Sequence, residues 1–116
     1  MKHYVMLFRA SRALTPEELK QRADEIRHWI VQVNALGIKL DPRNLGETAI
    51  QYTLKDGNVV LHEGAVDKSL IAMVFFDAPD NEKAMEVARL HPAPHYGTAL
   101  ELRDWDHPQV PLGPPQ

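Results

Sequence analysis

The chain has 116 residues and a mass of 13.2 kDa, enough for one domain with its own hydrophobic core. Its 44% hydrophobic and 25% charged residues lie near the globular average, which excludes a disordered or fibrous protein. The net charge of -3 supplies no basic surface for phosphates, so we expect no nucleic-acid partner. Because the chain has no cysteine and no signal-like or membrane-length apolar segment, we expect no membrane association and a cytoplasmic location.

The first predicted element is a strand from Lys2 to Arg9 that is apolar on both faces. One face carries Tyr4, Met6 and Phe8, and the other carries His3, Val5 and Leu7. A strand buried on both sides needs two covers, such as helices on one face and a second sheet on the other.

A long amphipathic helix is predicted next. Thr15 is a suitable N-cap, Pro16 fits the first helical position, and Glu18 completes a capping box. Gly37 is placed to end the helix. Its apolar stripe consists of Leu19, Ala23, Ile26, Ile30 and Val33, widened by Trp29 and Leu36. The opposite face, which includes His28, is expected to lie in water.

The middle of the chain predicts a connection followed by a hairpin. Residues 38 to 46 contain Asp41-Pro42 and are interpreted as a turn-rich connection. Thr48 to Leu54 is a predicted strand that pairs with Asn58 to His62. The Asp56-Gly57 turn between them is the strongest short-range hairpin signal, because both central turn residues must accept a positive φ.

Ser69 to Phe76 is the most apolar run and predicts a central strand. A second helix follows until Pro92, and Thr98 to Arg103 is the last strand. The order β-α-β-β-β-α-β indicates an α+β, ferredoxin-like split βαβ antiparallel sheet with two helices on one face. The other face needs a cover, which predicts a homodimer. Residues 1–105 form this domain, and residues 106–116 form a proline-rich tail.

Several of these segments together resemble the YCII-related (DGPF-type) family of small dimeric α/β-barrel proteins. They are the strand from Tyr4 to Phe8, the helix start from Leu14 to Glu18, the Lys55-Asp56-Gly57 hairpin, Glu63-Gly64, and the block from Gly97 to Arg103. The family's Asp-Gly-Pro-Phe loop stands here as Glu63-Gly64-Ala65-Val66. His91 occupies a position where relatives often carry cysteine before proline.

This resemblance implies a dimeric α/β barrel. Through the family's similarity to muconolactone-isomerase-like barrels, it also implies a cleft for a ligand. In some branches of the family it implies a His/Asp pair, which the motifs assign to no particular residues of this chain.

Four residues are candidate catalytic groups because strand and helix ends can bring them to one rim of the sheet: His62, Glu63, His91 and His95. His62 and Glu63 lie at the end of a strand, while His91 and His95 bracket the prolines after the second helix. A solvated turn carboxylate is the alternative interpretation of Glu63. The alternative for His91 is a cation at the C-terminus of the helix.

Five further residues are candidate ligand-binding positions: His3, Trp29, Tyr52, Gly64 and Gly97. The aromatic rings suit an apolar or aromatic ligand, and the glycines permit close backbone approach. Core packing is the alternative for the aromatic residues and for His3. No metal or cofactor is predicted, because the prolines between His91 and His95 prevent helical i, i+4 geometry and no third ligand lies nearby.

We therefore expect a small protein that binds a small organic molecule in a cleft between sheet and helices. Cofactor-independent proton transfer, of the isomerase or lyase kind, is a candidate activity. One alternative is a noncatalytic ligand-sensing or protein-interaction module of the same dimeric fold, and another is a purely structural assembly subunit. The sequence names no substrate and leaves open whether the protein is an enzyme.

Overall fold

The computed structural model describes residues 1–109. Within that range the elements are β1 (Lys2–Ala10), α1 (Pro16–Ala35), β2 (Leu40–Asn44), β3 (Ile50–Lys55), β4 (Asn58–Glu63), β5 (Leu70–Ala78), α2 (Asn81–Arg89), a 3-10 helix (Ala93–Tyr96) and β6 (Thr98–Trp105). Of the predicted tail, residues 106–109 lie in no helix or strand, and residues 110–116 lie outside the described residues.

Four of the strands form an antiparallel sheet in the order β2-β5-β1-β6, and β3 pairs only with β4 in a separate two-stranded sheet. The two helices and this sheet are consistent with a ferredoxin-like α+β fold, so the predicted class is confirmed at that level. None of the helices in the described part of the chain is both long and apolar enough to cross a membrane.

The predicted order of elements is wrong by one strand. The segment interpreted as a turn-rich connection contains β2, which pairs with β5 from Leu40 opposite Phe76 to Asn44 opposite Ala72. Its central Pro42 suggested a turn. Because β2 lies at the edge of the sheet and pairs on one side only, a residue without a backbone N–H is tolerated there.

Local signals at the helix termini are confirmed. Thr15 and Glu18 form a reciprocal capping box at the start of α1, and Gly37 follows its end with a φ of 80°. The side chain of Asp80 accepts a hydrogen bond from the backbone N–H of Lys83 at the start of α2. The predicted stripe of α1 is correct at Trp29 and Val33, which are buried, but Leu19, Ile30 and Leu36 are exposed.

The core lies between one face of the sheet and both helices. It contains Tyr4, Met6, Phe8, Trp29, Val33, Ile38, Val74, Phe76, Ala78, Ala84, Val87 and Ala93. The other face of the sheet has no covering element among the described residues. We call it the open face. At its centre lie four apolar side chains from β1 and β5: Val5, Leu7, Met73 and Phe75.

The hairpin of β3 and β4 extends away from this core. The radius of gyration is 17.7 Å, whereas a compact chain of this length has about 13 Å. One face of the hairpin carries five apolar side chains that are 47% to 71% exposed: Ile50, Tyr52, Leu54, Val59 and Leu61. A two-stranded hairpin with an exposed apolar face is marginally stable by itself.

Candidate functional site

A cavity of about 370 Å³ lies between α1 and the core face of the sheet. This volume falls in the range of about 300–1,000 Å³ typical of small-molecule sites. Most of the wall is apolar, including Phe8, Ile26, Trp29, Ile30, Leu40, Ile71 and Val74. The polar lining residues are Arg22, Asn34, Asn44, His91 and Thr98. The cavity is therefore an apolar space with a few polar groups in its wall.

Helical spacing explains how α1 forms one wall of the cavity. Arg22, Ile26 and Trp29 stand four and three residues apart, which places their side chains on one face of the helix. The facing wall comes from β1, β2 and β5. The segment after α2, which contributes His91 and Ala93, completes the lining.

His91 is buried in this wall, with an exposed fraction of 7%. Its ring packs between the rings of Phe8 and Trp29, at centroid distances of 4.8 Å and 4.5 Å. Burial, together with the positive charge of Arg22, lowers the pKa of His91 to about 4. The ring is therefore neutral near pH 7, and the interpretation of His91 as a cation at the helix C-terminus is wrong.

The protonated nitrogen of His91 follows from its hydrogen bond. The Nδ1 atom accepts from the backbone N–H of Ala93, at 3.0 Å. In a neutral imidazole the other nitrogen then carries the proton, so the Nε2–H of His91 is a donor. A neutral ring with a depressed pKa donates a hydrogen bond well but is a poor general base at neutral pH.

Arg22 is the second ionisable residue of the cavity wall. Its Nε atom is buried and has no hydrogen-bond partner among residues 1–109. Two carboxylates stand one turn away on α1, but each has another partner. Glu18 receives two hydrogen bonds from Arg12, and Glu25 accepts one from the hydroxyl of Tyr96, at 2.7 Å. Arg22 was not among the candidate residues predicted from the sequence. The signal was its position in line with Ile26 and Trp29, within the apolar stripe.

Trp29 is the sequence-predicted ligand-binding residue that the structure places in the cavity wall together with His91. The other predicted positions on the hairpin lie elsewhere. His62, Glu63 and Tyr52 are exposed, and Gly64 follows β4 with its N–H donating to the carbonyl of Ala49. The structure therefore does not bring His62 and Glu63 together with His91 at this cavity, and their catalytic role stays a prediction.

His95 and Gly97 also lie outside the cavity lining. His95 is exposed in the 3-10 helix, and Gly97 ends that helix with a φ of 70°. A Cβ atom on Gly97 would stand 2.8 Å from the side chain of Arg12. Glycine is needed here because its backbone conformation is left-handed and an arginine lies against it. That close approach explains the residue without a ligand.

His3 belongs to a different cluster, near the end of β1. Its Nδ1 atom lies 2.6 Å from Oδ1 of Asp77, its neighbour across the strands. Its ring stacks on Trp105 at 4.5 Å, and the ring of His107 packs edge-on at 5.7 Å. Within residues 1–109 this is the one ion pair that joins a histidine to a carboxylate. Asp77 was not a candidate from sequence, since its register opposite His3 is set by strand pairing.

Within the described range, no group of three or more histidine, cysteine, aspartate or glutamate side chains could hold a metal ion. The chain matches no protein-family model and no curated protein. The features of the described residues that suggest a function are therefore the cavity, the His3–Asp77 cluster, the open face of the sheet and the exposed apolar face of the hairpin.

Proposed function

We propose that the protein binds a small organic molecule in the cavity between α1 and the sheet, and that it does so as a homodimer of the YCII-related, dimeric α/β-barrel type in the cytoplasm. The observation that carries the binding function is the cavity itself. It is preformed, about 370 Å³ in volume, and contains two ionisable lining residues, Arg22 and His91, among those described. Sites for small molecules have this composition of apolar walls with few polar groups.

The chemistry of the wall favours binding over proton abstraction at this cavity. His91 is neutral and its Nδ1 atom already accepts a hydrogen bond, so it offers a proton donor rather than a base. Arg22 does not lose its proton at any ordinary pH. Both groups can hold and orient a ligand through hydrogen bonds.

The open face supports the homodimer through its charge pattern. Strand register places Asp41, Phe75, Val5 and Arg103 in one row across the sheet, and Arg43, Met73, Leu7 and Glu101 in the next. Each row has an apolar centre and ends of opposite sign. Two copies can pack with their open faces together, related by a two-fold axis that lies between the two sheets. Whether this axis runs along the strands or across them, each acid of these rows lies opposite a base of the other copy. The face is thus complementary to itself.

The apolar face of the hairpin supports the same assembly. Its five exposed side chains need a cover that the described residues of the chain do not supply. A second copy brings an apolar surface of its own, and a symmetric dimer can cover both hairpins at once.

Cofactor-independent proton transfer at His3 and Asp77 is a second candidate function. A histidine oriented by a carboxylate at 2.6 Å is the arrangement that general acid–base catalysis uses. His3 and Asp77 are also candidates for the His/Asp pair that the family resemblance implies. The noncatalytic alternative is that the pair binds no ligand and only fixes the end of the sheet.

Binding of N-phenyl-1-naphthylamine, a neutral dye that fluoresces in apolar surroundings, tests the proposed function. We expect saturable fluorescence, which Ile30→Trp at the cavity wall abolishes. Val31→Trp is the matched control, because Val31 is the next residue of α1, is exposed and does not line the cavity. Absence of saturable binding, or equal loss in both variants, would overturn the proposal.

A further inference from the structure

We propose that the ligand of this cavity is a small organic carboxylate with an apolar body, and that its carboxylate binds the guanidinium of Arg22. This inference rests on the function proposed above, to which it adds the chemical class of the ligand. Its starting point is an arginine in the wall of an apolar cavity, with a buried Nε atom that has no partner within residues 1–109.

The lack of a partner for Arg22 is not explained by a lack of acids nearby. Glu18 and Glu25 stand four residues before and three residues after it on α1, positions from which a carboxylate ordinarily pairs with arginine. Arg12 holds Glu18 through two hydrogen bonds of 3.1 Å and 2.9 Å. The hydroxyl of Tyr96 holds Glu25. The local carboxylates are thus directed to other partners, and the guanidinium is left for a group from outside the chain.

The Nε atom of Arg22 is closed off from solvent, so a ligand acceptor reaches the guanidinium through its Nη atoms. A carboxylate matches the guanidinium fork with two parallel hydrogen bonds, which are the strongest pairing this side chain makes. The ligand that pairs best with this side chain therefore carries a planar anion.

The charge of the wall favours a carboxylate over a phosphate. Arg22 is the one cation in the described lining, because burial keeps His91 neutral. One guanidinium balances the single charge of a carboxylate, whereas a phosphate monoester carries about -1.5 to -2. The excess charge of a phosphate would have to be buried against Phe8, Ile26 and Trp29, which is unfavourable.

We expect His91 to supply a second donor to the same ligand. Its Nδ1 atom is occupied by the N–H of Ala93, so Nε2 carries the proton, and no hydrogen bond from Nε2 is present among residues 1–109. Asn34, Asn44 and Thr98 add polar atoms to the lining. The remaining wall, made of aliphatic and aromatic side chains, sets the apolar character of the rest of the ligand.

A matched pair of probes tests the ligand class: trans-cinnamate and its uncharged analogue trans-cinnamamide. Both have the same apolar body, and they differ in the charge of the end group. Binding is measured by NMR on the full chain, with the indole N–H of Trp29 as the reporter inside the cavity wall. The Trp105→Phe variant assigns the two indole signals. We expect cinnamate to bind at least about tenfold more tightly than cinnamamide.

Two variants identify the anchor. Arg22→Met keeps the length and apolar stem of the side chain and should remove the preference for cinnamate while cinnamamide still binds. Arg27→Met is the matched control, since Arg27 lies on the same helix, is exposed and pairs with Asp24. It should leave both affinities unchanged. The comparison of the two probes on the unmodified protein is decisive even if Arg22→Met folds poorly.

The possible results separate this inference from the function on which it rests. If cinnamamide binds as tightly as cinnamate, the carboxylate class is wrong while the cavity remains a ligand site. If phenyl phosphate binds more tightly than cinnamate, the assignment of a monoanion is wrong. If none of the probes moves the Trp29 signal, and the neutral dye does not bind either, both proposals are overturned.

Discussion

The indole N–H of Trp29 donates a hydrogen bond of 2.9 Å to the backbone carbonyl of Val87. Val87 lies in the last turn of α2, where backbone carbonyls have no partner within the helix. One side chain of α1 thus satisfies the end of α2, and the same ring forms part of the cavity wall beside His91. Stability and the shape of the cavity therefore depend on the same residue.

Trp29→Phe should lower the free energy of unfolding by about 1–3 kcal/mol, because it leaves the Val87 carbonyl buried without its donor. Urea denaturation followed by far-UV circular dichroism, at one fixed protein concentration, measures the change. A loss below about 0.5 kcal/mol, as for an ordinary surface substitution, would show that this hydrogen bond does not join the helices.

Stability should fall as the pH falls from 7 to 5 because of His91. Its pKa is about 4 in the folded protein, and its ordinary value is 6.5, so over this range the unfolded state takes up a proton that the folded state does not. The sign is therefore a loss of stability with acidification, of about 2 kcal/mol between pH 7 and pH 5.

His91→Asn is the control for this pH dependence, since its Oδ1 atom can replace Nδ1 as the acceptor for Ala93 but does not titrate. Titration of Asp67 and Glu18 does not contribute to the change in stability between pH 7 and pH 5. Hydrogen bonds lower the pKa of each to about 2, so stability that depends on them is lost only as the pH falls below their ordinary values of 3.8 and 4.5. An unchanged slope between pH 7 and pH 5 in His91→Asn would contradict the assignment.

Leu61→Glu should weaken the proposed homodimer, because it places a charge at the centre of the apolar face of the hairpin. Thr53→Glu introduces the same charge on the opposite face of the hairpin and should leave association intact. Sedimentation equilibrium gives the dissociation constants. Equal constants for the two variants would mean that the hairpin face is not part of the interface.

Phe75→Glu should dissociate the proposed dimer or cause aggregation, because Phe75 lies at the apolar centre of the open face, opposite Val5. Val31→Glu, on the exposed side of α1, is the control. Light scattering at micromolar concentration measures the mass. A monomeric unmodified protein in that experiment would remove the case for a barrel formed by two sheets.

Features that are set by residues close together in the sequence were predicted correctly. The capping box at Thr15 and the Asp56-Gly57 hairpin are local signals, and both are present. The strand β2 was missed because Asp41-Pro42 is a turn signal in isolation. Its strand conformation is set by pairing with β5 at a sheet edge, which the local sequence does not encode.

The candidate site was predictable in part. Trp29 and His91 were named, but His62 and Glu63 were expected at the same rim, because the hairpin was expected to belong to the main sheet. In the structure the hairpin is a separate sheet that extends from the core. Arg22 was missed because an arginine on a long helix ordinarily lies in water, and its unpaired state depends on how distant residues engage Glu18 and Glu25.

The most direct test of the account is the position of a bound ligand. Isotope-filtered nuclear Overhauser measurements with trans-cinnamate report which methyl groups lie beside its ring. Binding in the cavity predicts contacts to the methyl groups of Ile26, Ile30 and Val74, which line it. Contacts to Leu61 of the hairpin or to Leu7 of the open face, without any to the cavity residues, would contradict it.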